Sequence, residues 1–583
     1  MLNRREKVKK KIYDYIYILY AIIVVFYCYR TLVINPTNIS KWVIICVCVC
    51  CLLAIIYIRR HRIEVTQLLI RKINMVCVFF LVGISSYCIT GSNYFVWHDD
   101  IFSWNSIINF LETVIWVLPL YLVFTLVLGK VTNDMTEKRM SKACYIVGIV
   151  GIMTPCLVFL YAFNPAILSY DSVSCYSYAH QLGEISLADW QPPFYIFVLK
   201  VLLSVINSVT FVVILQDIYF AIVFMASIAF LIRIGVNNKL LIAFYIFITI
   251  NFSNIIQLVT LWKDIPFMCS LLWLTLVIAK IVCFESEYRN KTSWYIQLVI
   301  SMVFVCFFRQ NGILPAIAIA VILPVLFRKN KKIVLASLVF ITLWGFIKGP
   351  VYKYYKVCQT PGLKYYGLAN DILYSYYYSG ERSEDVIALV DEMTCNDPDN
   401  WEYTPYYTNY RGTVLGDYSL SQFIKMYVNN YLRNFRTETF AVLARTQNIW
   451  SVFRPIYAID GCVSYLGQTV NELSEGIPER KDNALTYYIR SFADWFNSSP
   501  MLYTIYWRAG IYNVLIMWGF VYLLIHLKSN LRIILPFIPI VANNIALFIS
   551  SGWSDYRYVW PSVTIGVVLV LMTPALSRAK SIS

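Results

Sequence analysis

The sequence predicts an all-α polytopic membrane protein, with about fourteen transmembrane helices and a large, mixed but mainly helical extracytoplasmic domain. Three observations carry that expectation. Of the 583 residues, 59% are hydrophobic, 17% aromatic and only 14% charged, a balance that cannot cover an ordinary water-facing surface. Apolar runs close to the ~20 residues that a bilayer core demands recur along the chain. The loops between them alternate between strongly basic and nearly uncharged.

The runs are Tyr15–Val33, Trp42–Ile58, Ile73–Ile89, Ile107–Leu128, Ala143–Phe163, Phe211–Ile232, Leu240–Leu258, Ile265–Phe284, Trp294–Phe308, Ile313–Phe327, Ile333–Ile347, Ile511–Ile525, Ile533–Ile549 and Tyr558–Leu571. The first follows a basic start and ends without a small-residue cleavage site, so it reads as an uncleaved anchor. Basic loops are retained on the cytoplasmic side. They hold Arg59, Arg60, Arg62, Arg71 and Lys72, then Lys138, Arg139 and Lys142, and later Arg328, Lys329, Lys331 and Lys332. Both termini join that basic set, which predicts a multi-pass plasma-membrane protein with cytoplasmic ends. The connection Val351–Gly510 falls on the other side. There Asp and Glu outnumber Lys and Arg by three, although the whole chain carries +16. The basic excess is thus a topology signal, and it excludes a nucleic-acid footprint, which would gather on one exposed face.

The stretch Phe194–Ile206 is excluded from the crossings, because one more span would put Arg328 to Lys332 outside. It reads as an interfacial or re-entrant helix opened by Pro192 and Pro193, which suit a first helical turn. Backbone of that kind persists at membrane depth only where protein buries it or where it lines a wet cavity. Four regions follow: a four-helix membrane extension at 1–140, a catalytic-core membrane region with informative outer loops at 141–350, an extracytoplasmic domain at 351–510, and three closing crossings at 511–583.

Ionisable residues at a membrane boundary are costly and therefore default functional candidates. On the outer face they fall in four places. Tyr170 and Asp171 begin a loop that runs through His180 to Trp190, Gln191, Pro192 and Pro193. Lys263 and Asp264 precede Pro266, Arg309 with Gln310, Asn311 and Gly312 breaks a long apolar stretch, and Ser554, Asp555, Tyr556, Arg557 and Tyr558 precede the last run.

That ordered set resembles the type C glycosyltransferase superfamily, which includes protein O-mannosyltransferases and aminoarabinose transferases of lipid A. The resemblance covers about residues 141–576 and implies an essential acid in the first outer loop of the core, matched by Asp171. A Pro-containing motif then opens a juxtamembrane helix, matched by Trp190 to Pro193, although Gln191 stands near where many relatives carry His. It further implies a second acid before a Pro, matched by Asp264 and Pro266, and a phosphate-contacting cation followed by Gly, matched by Arg309 and Gly312. Arg557 and Tyr558 before Pro561 resemble its closing motif.

The donor implied is a polyprenyl-phosphate sugar drawn from the bilayer, the acceptor an extracytoplasmic glycan, lipid or protein. Membrane lipids are further partners, and no nucleic acid is involved. The chain has no Gly-rich phosphate loop, which agrees with a donor that needs no nucleotide. Asp171 is the candidate general base for the acceptor hydroxyl, and Arg309, Arg557 and Lys263 are candidates for the departing phosphate. A single base acting opposite the leaving group implies inversion at C1. Asp264 is a second catalytic candidate, a possible nucleophile, but pairing with Lys263 or binding a divalent cation through oxygen is favoured. Whether any cofactor is used stays open. Tyr170, Trp190, Gln191, Asn311 and Tyr558 are substrate-binding candidates.

Plainer roles stand beside these. Asp171 could cap a helix beginning at Ser172, Lys263 and Asp264 could snorkel at a helix end, and Arg557 could pair with Asp555 alone. Cys46, Cys48, Cys50 and Cys51 fit apolar helix packing better than a metal cluster. Cys358, Cys395 and Cys462 allow one disulfide of unreadable connectivity, and the tyrosines near both ends of 351–510 suit a headgroup belt. A polysaccharide ligase or polymerase using a lipid-linked donor is the nearest alternative. A secondary transporter is more distant, since it would show repeated halves and midplane charges.

Overall fold

The computed structural model describes residues 15–26, 41–61, 72–94, 104–132, 139–360, 362–378, 381–400, 412–452, 482–527, 530–551 and 555–579. Trp97 to Asp100, the outward polar residues of the first four runs, Trp401 to Tyr410, a candidate acceptor platform, and Cys462 and Ser554 lie outside the described residues. The protein is all-α, as composition predicts, because apolar chain in lipid must satisfy its backbone polar groups within its own segment. Among the described residues the sheet is a two-residue parallel ladder, β1 (Leu187–Ala188) with β2 (Val357–Cys358).

The helices are α1 (Tyr15–Phe26), α2 (Lys41–Arg60), α3 (Lys72–Tyr94), α4 (Trp104–Val131), α5 (Lys142–Ala162), α6 (Tyr170–His180), α7 (Pro193–Val205), α8 (Val209–Arg233), α9 (Asn238–Ile250), α10 (Phe252–Leu258), α11 (Asp264–Cys283), α12 (Thr292–Phe308), α13 (Ile313–Leu326) and α14 (Lys331–Phe346). They continue with α15 (Tyr366–Tyr378), α16 (Glu384–Met393), α17 (Leu420–Arg433), α18 (Phe435–Arg445), α19 (Ala484–Ser498), α20 (Pro500–Trp507), α21 (Ala509–Ile525), α22 (Ile538–Ser550), α23 (Tyr556–Val559) and α24 (Pro561–Arg578).

The expected fourteen crossings are not what these helices supply. Seven among the described residues are long and apolar enough to span a bilayer, or eight if the bent pair α9 and α10 counts as one. Hydropathy sees apolar residues but not where a helix is interrupted. The run Leu240–Leu258 bends by 56° between α9 and α10, at Asn251, whose side chain accepts from the backbone N–H groups of Ser253 and Asn254 and so starts a new helix. The polar break at Arg309 likewise leaves α12 with 17 residues and α13 with 14. Phe194–Ile206 forms a short helix entered through the two prolines: α7 has 13 residues, with Pro192 as its N-cap and Pro193 as its first residue.

α11 and α24 are almost wholly buried at the centre of the bundle, while α5 and α14 turn apolar side chains such as Val147 and Leu335 outward. Those stripes face the apolar surroundings that the composition calls for. Arg233, Glu287, Lys291 and Arg532 gather at one end of the bundle. There Arg233 pairs with Glu287, Lys291 Nζ lies 2.6 Å from Glu287, and Arg532 Nη1 lies 2.9 Å from Glu285. Asp264, Arg309 and Arg557 sit at the opposite end, because α11 begins there, α12 ends there and α23 begins there. The N-terminal helices join through Trp518, whose Nε1 donates to Ser85 Oγ at 2.9 Å and whose ring meets Tyr121 edge-on.

Residues of 351–510 build their own small core, with Ala369, Ile372 and Leu373 of α15 against Leu389 and Val390 of α16 and Phe423 and Met426 of α17. Beneath it, Arg445 clamps Asp371 through two parallel hydrogen bonds of 2.8 Å, and its Nη1 reaches the Phe548 carbonyl at 3.3 Å. α15 approaches so closely that a Cβ on Gly367 would stand 2.9 Å from both Arg445 Nη1 and the Ser551 carbonyl. Glycine at that position is what lets the domain seat on the end of α22. Cys358 and Cys395 are exposed free thiols.

Glu438 in this network is fully buried, and burial, helped by the nearby Asp371 carboxylate, pushes it up to about 8. The folded protein therefore holds the proton at neutral pH, with Asn430 donating to one Glu438 oxygen. An unfolded Glu ionises above roughly pH 4.3. The stability at stake is thus fully present below that value, is lost as pH rises toward 8, and is constant beyond. Glu438→Gln mimics the neutral acid and is expected to remove a penalty of ~3 kcal/mol near neutral pH. Hydrogen exchange in α18 checks this: the variant should gain protection over the parent at pH 8 and gain little at pH 5.

Candidate active site

The site is assembled by two connections that the backbone staples together. Ile167 N–H donates to the Val259 carbonyl at 3.1 Å, and Leu261 N–H donates to the Ile167 carbonyl at 3.2 Å. The loop leading to Asp171 is thereby held against the loop leading to Lys263. Ser169 then starts α6 through a reciprocal capping box with Ser172, and Trp262 Nε1 donates to Ser169 Oγ at 2.6 Å. Asp171 is consequently not the cap. It occupies the first turn of α6, where the helix dipole favours a carboxylate.

Three side chains converge on that carboxylate. Gln191 Nε2 donates to Oδ1 at 2.9 Å. Arg557 Nη1 donates to Oδ2 at 2.7 Å, and Lys263 Nζ lies 3.3 Å from the same oxygen. Lys263 also donates to Gln191 Oε1, so the Gln191 amide bridges the acid and the ammonium. Arg557 has a further anion beside it, with Nε 2.9 Å from Asp555 Oδ2. Those two atoms are poorly aligned for a hydrogen bond, which makes the contact an ion pair. Asp555 also accepts from the Arg557 N–H at 3.0 Å, capping α23.

Behind this group Arg309 pairs with Asp264, whose other carboxylate oxygen has no partner among the described residues. Arg309 and Arg557 both stack on Tyr558, with guanidinium carbons 4.4 and 5.0 Å from the ring centroid. One aromatic ring thus holds two cations close together, an arrangement that ring quadrupoles stabilise. Asn311 is fixed by Asn543, which accepts at 2.8 Å, and Asn544 in turn donates to Asn513 at 2.8 Å.

Burial works against ionisation of Asp171, but Lys263, Arg557 and the Gln191 amide outweigh it and hold the carboxyl well below the usual carboxylate range. Asp555 goes the other way, since burial raises it despite Arg557. A cavity of about 190 Å³ opens beside these groups, lined by Asp171, Lys263, Arg309, Arg557 and Tyr558 together with Trp190, Asn311, Tyr366 and Ser551. Its wall carries three cations and one carboxylate, an excess suited to an anion, and the Trp190 and Tyr366 rings meet edge-on at 5.4 Å at its rim.

Of the residues singled out from sequence, Asp171, Lys263, Arg309, Arg557, Trp190, Asn311 and Tyr558 line one cavity. Three stand elsewhere. Gln191 is buried behind Asp171 and binds protein groups, because its amide is used by Asp171 and Lys263. Asp264 is sealed behind Arg309, and its partner is Arg309 where Lys263 was expected. A cation at Asp264 would share the carboxylate with a guanidinium, and among the described residues no group of three His, Cys, Asp or Glu is set to hold a metal. Tyr170 is exposed and outside the cavity wall. Tyr366, one of the outer-domain tyrosines whose pattern fits a headgroup belt better than sugar stacking, lines the cavity instead, and so does Ser551, which carries no local signal in the sequence. Asp555, which the sequence offers only as a pairing partner of Arg557, also caps α23. No family model, curated protein or solved structure matches the chain.

Proposed function

We propose that the protein is a membrane glycosyltransferase of the type C kind, moving a sugar with inversion from a polyprenyl-phosphate donor to a glycan, lipid or protein acceptor. The observation that carries this reading is the meeting of Asp171 with Lys263 and Arg557 in a cavity that Arg309 also lines. The basic end of the bundle is then cytoplasmic by the positive-inside rule, and the cavity and 351–510 are extracytoplasmic.

In this mechanism the acceptor oxygen bonds to C1 as the bond from C1 to the lipid phosphate oxygen breaks. The acceptor proton passes to Asp171, and the electron pair leaves with the polyprenyl phosphate. In the resting site Lys263 and Arg557 are occupied by Asp171. A donor phosphate competes for them, which weakens their hold on the carboxylate and raises its basicity where a base is needed. As the acceptor hydroxyl forms its new bond it becomes strongly acidic, so even a weakly basic carboxylate takes the proton. Arg309, positioned by Asp264 and Tyr558, adds fixed charge that needs no reorganisation when the phosphate gains its negative charge. Trp190 and Tyr366 offer apolar ring faces to a sugar.

The direct test is turnover of purified protein in vesicles supplied with a panel of polyprenyl-phosphate sugars, read as release of free polyprenyl phosphate. Release from at least one donor in the presence of an acceptor extract is expected. If no donor is either bound or consumed, the reading fails.

A further inference from the structure

Helix α19 divides its surface into three sectors. Thr486, Ile489, Ala493 and Phe496 are buried against the bundle, where Phe496 meets Phe252 and Tyr506 with centroids 5.5 and 5.0 Å apart. Arg490, Ser491, Asp494 and Ser498 form a mainly polar sector that also holds the exposed Tyr487, with Arg490 Nη1 2.7 Å from Asp482. Between the two lies a stripe of Tyr488, Phe492 and Trp495, spaced i, i+4 and i+7, with 74%, 46% and 61% of their surfaces exposed. A helix in water needs two faces, one buried and one polar. A third face that is aromatic and uncovered calls for a further medium.

The depth of the helix identifies that medium. Thr486 Oγ1 donates to the Ala162 carbonyl at 2.6 Å, and Asn483 Nδ2 donates to the Tyr161 carbonyl at 3.3 Å. Both acceptors are last-turn carbonyls of α5, a helix of spanning length. The start of α19 is therefore pinned to the level at which a span leaves the hydrocarbon. Ser499 ends the helix, and α20 leads directly into α21. Tyr and Trp are the residues that prefer that level, with ring bodies in apolar surroundings and polar edges in water.

We propose that α19 is an in-plane membrane anchor whose Tyr488, Phe492 and Trp495 stripe lies against the lipid headgroup layer. The anchor also reaches the cavity. Phe496 packs on Tyr506, and the adjoining Trp507 packs on Tyr556 at 5.1 Å, one residue before Arg557. Holding α19 at the headgroups thereby fixes the height of Arg557 relative to the headgroup layer. The anchor rests on the membrane character of the fold alone, so it stands or falls separately from sugar transfer.

The test places the photocrosslinking amino acid p-benzoylphenylalanine at 488, 492, 495 or 494, one position at a time, in full-length protein reconstituted in phosphatidylglycerol and phosphatidylcholine vesicles. These side chains are exposed, and monodispersity on size exclusion selects folded variants. Lipid adducts read by mass spectrometry are expected at 488, 492 and 495, at least about five-fold above those at 494. Crosslinks to a second copy, crosslinks to residues 453–481, or equal lipid labelling at 494 each overturn the proposal.

Discussion

Asp171→Asn is expected to lower turnover by about 10²–10⁴-fold, the range that a positioned general base contributes, while donor binding is kept or tightened. The amide is isosteric, so Gln191 and the first turn of α6 lose little support. It removes the negative charge that Lys263 and Arg557 now share, leaving both cations to the donor phosphate. Polyprenyl-phosphate release and donor affinity, measured on the same preparation, separate these effects. The substitution also separates classes of protein. A transporter should keep most of its flux, and a ligase with its essential residues in 351–510 should keep its activity. The pH profile adds a second reading. A carboxyl held below its ordinary range stays ionised until pH falls through that lowered value. No acid limb from Asp171 should therefore appear between about pH 5 and pH 8. An acid limb in kcat/KM that vanished in the Asn variant would mean that the cations do not control this group.

The fold and the site were legible in the sequence to different depths, for physical reasons. Apolarity is a property of single residues summed over a window, so membrane character could be read directly. Helix continuity is not such a property. Asn251 reads as one polar residue in an apolar run, yet its side chain caps α10 and bends the segment by 56°. The identity of the cations and of Asp171 was readable because charge at a bilayer boundary is costly and needs a reason. Their pairing was not. Asp264 stands beside Lys263 in sequence, but a helix begins between them. That turn sends Lys263 toward Asp171 and Asp264 toward Arg309. Sequence offers Gln191 as a substrate contact because it cannot tell an amide that faces a cavity from one that faces the wall behind it. Tyr366 enters the cavity only because Gly367 lets α15 close on Arg445 and Ser551.

Arg557 tests whether the cluster is chemical or merely structural, since it touches Asp171, Asp555 and Tyr558 at once. Arg557→Gln is expected to lower kcat by about 10²–10³-fold, the usual cost of losing a preorganised donor to a developing anion. It should also cost stability, because removing one partner of a buried pair leaves the other uncompensated. Asp555 limits that cost. Burial already raises its pKa, so without the guanidinium it takes up a proton and stays buried as a neutral acid. Arg557→Lys is the discriminating variant. It keeps the charge and so should restore most of the thermal stability. A single ammonium cannot reach Asp171, Asp555 and a phosphate together in the fixed fork that guanidinium provides, so most of the turnover should remain lost. A Lys variant with parental turnover would show that Arg557 serves the fold and not the departing phosphate. The cation role would then fall to Lys263 and Arg309, which line the same cavity.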